Sequence, residues 1–485
     1  TFPYTTLFRS TGTAANPTTS WTGTATYYAI SNTGTATLSA GTVSGSYRAV
    51  NNGTAGKIVV SGATVSGTGT NWAIVNTSTA NTETAPAVKV TSGTVSSTGT
   101  YGAIWTNSVG LIYVTGGTIT TTNSNGIYNK STGTVKVTGG TVSGVVALYN
   151  ETSGTITVTG GTMTSTNGNG ITNNGEGTVS VSGSTTTITG STNGINNIST
   201  GTITISGGTI TGNGSAQTGV FNNSTGTINI SGGTVYGPNN GGAYNKSTGT
   251  INISGGTVKG KWGISSYTGQ ASVVNITGGS VIGENGYAVS TGDSGTVTVG
   301  TNESTPSVST TVPSITGSTY GVNKGTSGTF NFYDGVIKGA ANQSIYGTVT
   351  ATPTGYGVQK TNTSTQETAI LVAANYGEYN SSGTLRSYFA TLANALSGAT
   401  NENTIKPLSN RTSEAAATLA SGRTMTLDLN GKTITMTGTL TNAGTLTISG
   451  SSGTLTSSTV NTVTNSGTLT KSGNSTLTNT DTATY

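Results

Sequence analysis

The chain contains neither cysteine nor histidine. Without cysteine it can form no disulfides, thiol nucleophiles or cysteine-based zinc sites. Without histidine it lacks the most common metal ligand and the most common general base. We therefore predict no metal, no cofactor and no catalytic residues, and we expect a protein that is not an enzyme.

Charged residues are also scarce. Lys and Arg number 18 and Asp and Glu 13, which together make 6% of 485 residues, against roughly 25% in an ordinary soluble domain. The net charge of +5 is spread along the chain, so no basic cluster predicts a nucleic-acid partner. The glutamates are scattered, and within the repeat block only Glu151 and Glu176 lie about one repeat apart, at unequal positions. We interpret the acidic residues as solvated surface charge rather than a catalytic pair. No run of 18 apolar residues occurs, which predicts no membrane span.

What the chain does contain is a repeat of about 23 residues, seen in STGTVKVTGGTV, TSGTITVTGGTM, STGTITISGGTI and STGTINISGGTV. Each unit has two apolar residues at alternate positions, and a third follows seven residues after the first, as Val142 follows Val135. Short alternating segments bounded by Gly, Asn and Ser predict strands. Three such strands per repeat predict an all-β fold, a parallel β-helix with about 23 residues per rung. The Gly-Gly steps predict corners with positive φ.

An asparagine recurs six residues before the first apolar residue of six consecutive repeats. Stacked side-chain amides can hydrogen-bond from rung to rung, as in cross-β ladders. We therefore predict a structural ladder rather than glycosylation acceptors, although several of these residues begin N-x-Ser/Thr triplets. Its members are Asn129, Asn150, Asn173, Asn197, Asn222 and Asn245.

The position seven residues before the first apolar residue, next to the ladder position, is aromatic in six of eight repeats. Because side chains alternate along a strand, this column should point outward. The alternatives are packing between neighbouring rings, a glycan-binding surface and a contact for a protein partner. The candidate ligand-binding residues are Trp105, Tyr128, Tyr149, Phe221, Tyr244 and Tyr267, with Thr172 and Asn196 between the two clusters. The position after the ladder places Lys130 beside Glu151, which predicts an exposed ion pair.

The composition and the repeat pattern of the chain change at both ends. Residues 1–10, TFPYTTLFRS, resemble the conceptual translation of a sequencing adapter, so we predict an artefact there and a fragmentary chain. The repeat register is lost near residue 360. We predict a parallel β-helix over 11–360, a connector over 361–423 with one short capping helix at Tyr388–Ser397, and a second, truncated β-solenoid over 424–485.

The repeat block and the LDLNGKTI segment at 427–434 resemble adhesin-like bacterial surface proteins with right-handed, pectin-lyase-like β-helix repeats. The resemblance covers most of residues 20–485. It implies an exported protein at the cell surface, built as a stalk or a binding rod. It implies no particular activity, since this fold carries lyases, hydrolases, adhesins and phage spikes alike.

The leading hypothesis is a non-enzymatic extracellular adhesin or surface stalk of a bacterium that binds host or environmental glycans, or surface proteins, through the aromatic column. One alternative is a fragment of a carbohydrate-active β-helix enzyme, such as a polysaccharide lyase or hydrolase, without a recognisable catalytic site. Another is an exported structural repeat with no ligand.

Overall fold

The structure, a computed structural model, describes residues 6–10, 13–14, 21–23, 28–215, 217–303, 308–457 and 463–479. Residues 1–5 of the predicted artefact, and residues 458–462 and 480–485 of the predicted second solenoid, lie outside these ranges. Thr6–Ser10 form a strand that pairs in parallel with Tyr28–Asn32. The chain divides into two compact units. Unit 1 comprises Thr1–Thr298, Val312–Phe330 and Ile345–Thr348, and unit 2 comprises Val299–Thr311, Asn331–Ser344 and Val349–Tyr485.

Unit 1 is a parallel β-helix, which confirms the predicted all-β fold class and a turn of about 23 residues. The first apolar residues of successive repeats are register partners, as in Ile112 with Val135 and Val135 with Ile156. Where the loop is longer the pairing still holds, since Met163 pairs with Ile188. The period of the apolar residues therefore reports the length of each turn.

Each turn supplies three strands, one to each of three columns. The first column contains Thr13–Ala14, Thr35–Leu38, Ile112–Val114, Thr134–Val137, Thr155–Val158, Thr178–Val181, Thr250–Ile253 and Val273–Ile276. The second contains Trp21–Gly23, Thr42–Gly45, Thr118–Thr121, Thr141–Gly144, Thr162–Ser165, Thr187–Gly190, Ser280–Gly283 and Ser314–Gly317. The third contains Thr6–Ser10, Tyr28–Asn32, Arg48–Asn52, Ile74–Asn76, Ile104–Thr106, Ile127–Asn129, Leu148–Asn150, Ile171–Asn173, Ile195–Asn197, Val220–Asn222, Val289–Ser290, Val322–Asn323 and Ile345–Tyr346. Strands that run through more than one column are Lys57–Gly67, Val88–Ser97, Thr202–Gly212, Thr227–Asn245 and Thr257–Ser266. Thr296–Val299 and Thr329–Phe332 are also strands.

The core of unit 1 is formed by the alternate residues of these strands. In Thr134–Val137, Val135 and Val137 are buried, while Thr134 and Lys136 are partly exposed. The corners use glycine as predicted: φ is +81° at Gly140 and +73° at Gly233. A Cβ on Gly140 would lie 2.7 Å from the Gly116 carbonyl carbon one turn away. Glycine therefore serves both the bend and the close approach of stacked corners.

Unit 2 begins with antiparallel strands. Gln366–Ala373 pairs with Val336–Ala340 on one side and with Tyr356–Asn362 on the other. Tyr376–Tyr379 pairs with Leu385–Phe389. The helix spans Leu392–Gly398 and begins after Thr391, whose side chain accepts a hydrogen bond from the Asn394 amide. It is shorter than predicted, because the stretch from Tyr388 to Phe389 belongs to a strand.

A second parallel solenoid follows the helix. Its three sheets contain Thr404–Pro407, Thr424–Asp428, Thr445–Ser449 and Thr468–Lys471; Arg411–Glu414, Thr433–Met436, Thr454–Ser457 and Thr476–Asn479; and Ala417–Leu419, Leu440–Asn442 and Val463–Asn465. Its first turn starts at Thr404, inside the range predicted as connector. That turn lacks the Gly-Thr repeat, yet Ile405 pairs with Leu427 and both are buried in the core of unit 2. Burial of apolar residues, rather than the repeat motif, defines this turn.

Candidate functional site

The structure aligns most of the predicted aromatic column. Trp105 pairs with Tyr128, Tyr128 with Tyr149, and Phe221 with Tyr244, on successive third-column strands. Thr172 and Asn196 occupy the intervening turns. The five aromatic side chains are half-buried, and Thr172 is buried.

Tyr267 does not belong to this column. Ser265 is the partner of Tyr244, and Tyr267 lies two residues beyond it with 53% of its surface exposed. The prediction fails because this turn has two more residues between its third strand and the next apolar marker, Val274. Counting seven residues back from Val274 therefore gave Tyr267 instead of Ser265, the residue that occupies the column.

The aligned rings cover one another. Tyr128 and Tyr149 stack with centroids 5.0 Å apart and planes 13° apart, and Phe221 and Tyr244 stack at 5.4 Å and 4°. Such pairs stabilise neighbouring strands by roughly 0.2–1 kcal/mol each. Because each ring covers one face of its neighbour, the two facing surfaces of a pair are closed to a ligand. Ring faces that no neighbouring ring covers are therefore expected beyond the ends of the stacked pairs.

A cleft of about 280 Å³ lies at the Trp105 end of the column, lined by Arg48, Thr70, Asn71, Trp72, Val75, Tyr101 and Trp105. We call it the aromatic cleft. Trp72 contacts Tyr101 and Tyr128, with centroids 6.2 Å and 5.6 Å apart. Trp105 is half-buried, and within the described ranges no ring stacks on it. Sequence reasoning missed Trp72 and Tyr101 because both precede a third-column strand, in the connection whose length varies.

Local backbone features hold Trp72 in place. The Asn71 side-chain oxygen accepts a hydrogen bond from the Trp72 amide at 2.9 Å. A Cβ on Gly102 would overlap the Trp72 indole. Glycine at position 102 therefore lets the indole lie close to the backbone of the next turn.

Arg48 supplies the charge of the aromatic cleft. Its guanidinium lies over the rings of Tyr47 and Tyr28, 5.0 Å and 5.5 Å from their centroids. Nη1 donates to Asn51 Oδ1 at 2.8 Å, whereas Nε is buried and makes no hydrogen bond to a described residue. Among the residues that the structure describes, no acidic side chain lines the cleft. The cleft thus combines aromatic surface with a cationic hydrogen-bond donor.

Glu151 lies at the other end of the first aromatic cluster. The Tyr128 hydroxyl donates a hydrogen bond to its carboxylate. Burial, and secondarily this bond, raise the pKa of Tyr128, while burial and the Glu151 charge raise the pKa of Tyr149. The predicted pair between Lys130 and Glu151 is wrong: no ion pair joins them among the described residues. The half-buried tyrosine hydroxyl engages the carboxylate, while the Lys130 side chain stays exposed.

The predicted asparagines form a continuous buried ladder. All six are fully buried. Asn150 Nδ2 donates to Asn173 Oδ1 at 2.9 Å, and Asn173 Nδ2 donates in turn to Asn197 Oδ1 at 3.0 Å. Each amide also donates to the backbone oxygen of a glycine four residues later, as Asn173 does to Gly177 at 2.8 Å. Except for the Asn129 side-chain oxygen, these amide groups find hydrogen-bond partners within the fold, so the ladder is a structural element.

The ladder has a second segment that sequence reasoning missed. Asn32 donates to Asn52, and Asn52 to Asn76, both at 2.8 Å. Thr106 occupies the next position, as the register partner of Asn129. Asn129 Oδ1 consequently has no hydrogen-bond partner. Asn52 could have been found, because it also lies six residues before its marker, Ile58.

Three glutamates of unit 2 are buried, contrary to their interpretation as surface charge. Glu367, Glu378 and Glu414 are 2%, 4% and 3% exposed. Glu414 accepts from Arg411 Nε at 2.8 Å and from the Leu392 amide at 3.2 Å. Nothing in the repeat pattern marks these residues, because they lie where the repeat is lost. Glu176, by contrast, is exposed.

Comparisons with known proteins found no match: no family model, no curated protein and no solved structure matches the chain. Within the described ranges, no three potential metal ligands of the His, Cys, Asp and Glu types lie together. No helix in the same ranges is long and apolar enough to cross a membrane.

Proposed function

We propose that this chain is a non-enzymatic extracellular adhesin or surface stalk of a bacterium, and that it binds glycans in the aromatic cleft. The observation that carries the proposal is the half-buried indole of Trp105, which lines a concave surface with Trp72 and Tyr101 and has no ring of the described residues stacked on it. The C–H faces of a sugar ring are apolar and stack on such indoles. A contiguous exposed apolar surface with polar groups around it is typical of an interaction site.

The polar lining of the cleft supports the same ligand class. Arg48, Asn71 and Thr70 offer donors and acceptors around the rings, and sugar hydroxyls both donate and accept hydrogen bonds. The stacked pairs formed by Tyr128 with Tyr149 and by Phe221 with Tyr244 would then serve mainly to hold the column rigid. The proposal thus moves the predicted ligand surface from the whole column to its Trp105 end.

The repeat architecture supports the extracellular part of the proposal. A parallel solenoid extends by adding turns that contact only their neighbours, which suits a stalk. The lack of cysteine suits a bacterial protein that does not depend on disulfides.

A glycan array tests the binding site. The chain should be retained by at least one glycan class, and Trp105→Ala should abolish that retention. Phe221→Ala is the matched control, since it removes a half-buried ring from the same column away from the cleft. Equal retention of both variants would refute the cleft as the site, and a wild-type chain that retains no glycan would refute glycan binding altogether.

A second assay tests the enzyme alternative. The chain is incubated with a panel of polysaccharides, and reducing ends and unsaturated products are measured. We expect neither product above a heat-denatured control. Sustained release of either product would refute a non-enzymatic function.

A further inference from the structure

Unit 2 contains a polar cavity of about 270 Å³ that is separate from the aromatic cleft. It lies between the strands Tyr356–Asn362, Gln366–Ala373, Tyr376–Tyr379 and Leu385–Phe389. Four charged side chains line it: Lys360, Glu367, Glu378 and Arg386. No aromatic residue does so.

Two of these charges are buried carboxylates. Glu367 is 2% exposed, with Oε1 3.4 Å from Lys360 Nζ and Oε2 accepting from the Ser344 amide at 2.8 Å. Glu378 is 4% exposed, and its Oε1 accepts from the Thr400 amide at 2.8 Å and from Asn403 Nδ2 at 2.6 Å. Its Oε2 makes no hydrogen bond to any described residue. This oxygen is not one of the fully enclosed, unpaired polar atoms of the described residues, so it is accessible to a hydrogen-bond donor that enters the cavity.

A β-bulge brings a donor to the same cavity. Glu378 pairs directly with Ser387, whereas the next residue, Tyr379, pairs with Leu385, so Arg386 is the extra residue of its strand. Bulges re-aim side chains and are enriched beside functional sites. Arg386 lines the cavity and is exposed, and it forms no ion pair or hydrogen bond with the described residues. An unused acceptor on Glu378 and an unused donor on Arg386 thus border one cavity.

The balance of charge indicates the ligand class. The two cations and two anions of the lining sum to zero, so the cavity does not require a charged ligand. A hydroxyl group can donate to a carboxylate and accept from a guanidinium. The volume lies just below the roughly 300–1,000 Å³ typical of small-molecule sites. We propose that this cavity binds a neutral, hydroxyl-rich ligand the size of one sugar ring, with hydroxyls bridging Glu378 Oε2 and Arg386.

Ligand-observed NMR and calorimetry on the whole chain test the proposal, with glucose, galactose, mannose and N-acetylglucosamine as probes. Glycine and galacturonate serve as zwitterionic and anionic comparisons. We expect at least one neutral sugar to bind more tightly than either comparison. Arg386→Met should weaken that sugar's Kd about tenfold or more, because it removes a charge-assisted hydrogen bond. Leu385→Trp, at a cavity-lining residue that is 37% exposed, should block binding by filling the space.

Two controls make the result specific. Lys471→Met removes an exposed cation of unit 2 that does not line the cavity, and it should leave binding unchanged. Trp105→Ala should also leave it unchanged, which separates this site from the aromatic cleft. The proposal is overturned if no neutral sugar binds, if both cavity variants bind like the wild type, or if a charged comparison binds more tightly through Arg386. Superimposable circular dichroism spectra would establish that the variants fold.

Discussion

Replacing Asn173 by leucine tests the asparagine ladder at its centre. The side chain is fully buried and takes part in three hydrogen bonds. Its Oδ1 accepts from Asn150 at 2.9 Å, and its Nδ2 donates to Gly177 O at 2.8 Å and to Asn197 Oδ1 at 3.0 Å. Leucine is similar in size but can make none of these bonds, so the change isolates the polar contribution of one rung.

The expected loss of stability depends on which hydrogen bonds the partners of Asn173 retain after the substitution. Asn197 Oδ1 loses its donor and becomes a buried unpaired acceptor, at a cost of roughly 1–3 kcal/mol. Asn150 Nδ2 retains Gly154 O and Thr152 O as acceptors. The two other lost bonds therefore cost only about 0.5–1.5 kcal/mol each. Burial of leucine offsets about 1.5–3 kcal/mol. We expect a net destabilisation of about 2 kcal/mol.

Equilibrium unfolding in urea, followed by circular dichroism, measures this difference. Asn167→Leu is the control, because Asn167 is exposed on the same turn and surface changes usually alter stability by less than about 0.5 kcal/mol. Each turn contacts only its neighbours, so the loss should appear as an earlier transition of unit 1. Identical midpoints for the two variants would refute the buried ladder as a source of stability.

Three further predictions concern the same columns. Thr106→Asn should stabilise the chain by about 1 kcal/mol, because it offers a donor to the unpaired Asn129 Oδ1; a lower urea midpoint would contradict this. Gly154→Ala should lower the midpoint, since its Cβ would overlap Asn129 Nδ2, and a wild-type midpoint would show that the ladder has room. Stability should be retained below pH 10 and fall as the pH rises above it. Tyr128 has a raised pKa in the fold and ionises first in the unfolded chain, near pH 10. Tyr128→Phe should make that fall less steep in a pH series of thermal unfolding, and an unchanged slope would argue against the shift.

The periodic features of this protein could be predicted because each residue of a turn has the same environment as its counterpart one turn away. Val135 and Ile156 occupy equivalent core positions, and Asn150 and Asn173 occupy equivalent ladder positions. Prediction failed where extra residues lay between the marker and the position counted from it, or where the residue belonged to a connection of variable length. Tyr267 was assigned by counting across a turn with two extra residues, and Trp72 was overlooked in a connection of variable length. Without a constant period, sequence distance does not report spatial position.

By itself, the sequence determined the all-β class, the parallel stacking and the turn of about 23 residues, because alternation and period are local properties of a strand and its repeat. It also determined the buried asparagines, since a polar residue at a constant inward position needs partners of its own kind. Only the tertiary structure decided which ring faces remain open and which carboxylates are buried. Stacking of Tyr128 on Tyr149 depends on side-chain orientation across turns. The cavity beside Glu378 depends on a bulge at Arg386 between non-repeating strands. The repeat places Tyr128 and Tyr149 on neighbouring turns but does not specify the orientation of their rings. The cavity arises from contacts between segments that share no pattern, so neither segment alone predicts it.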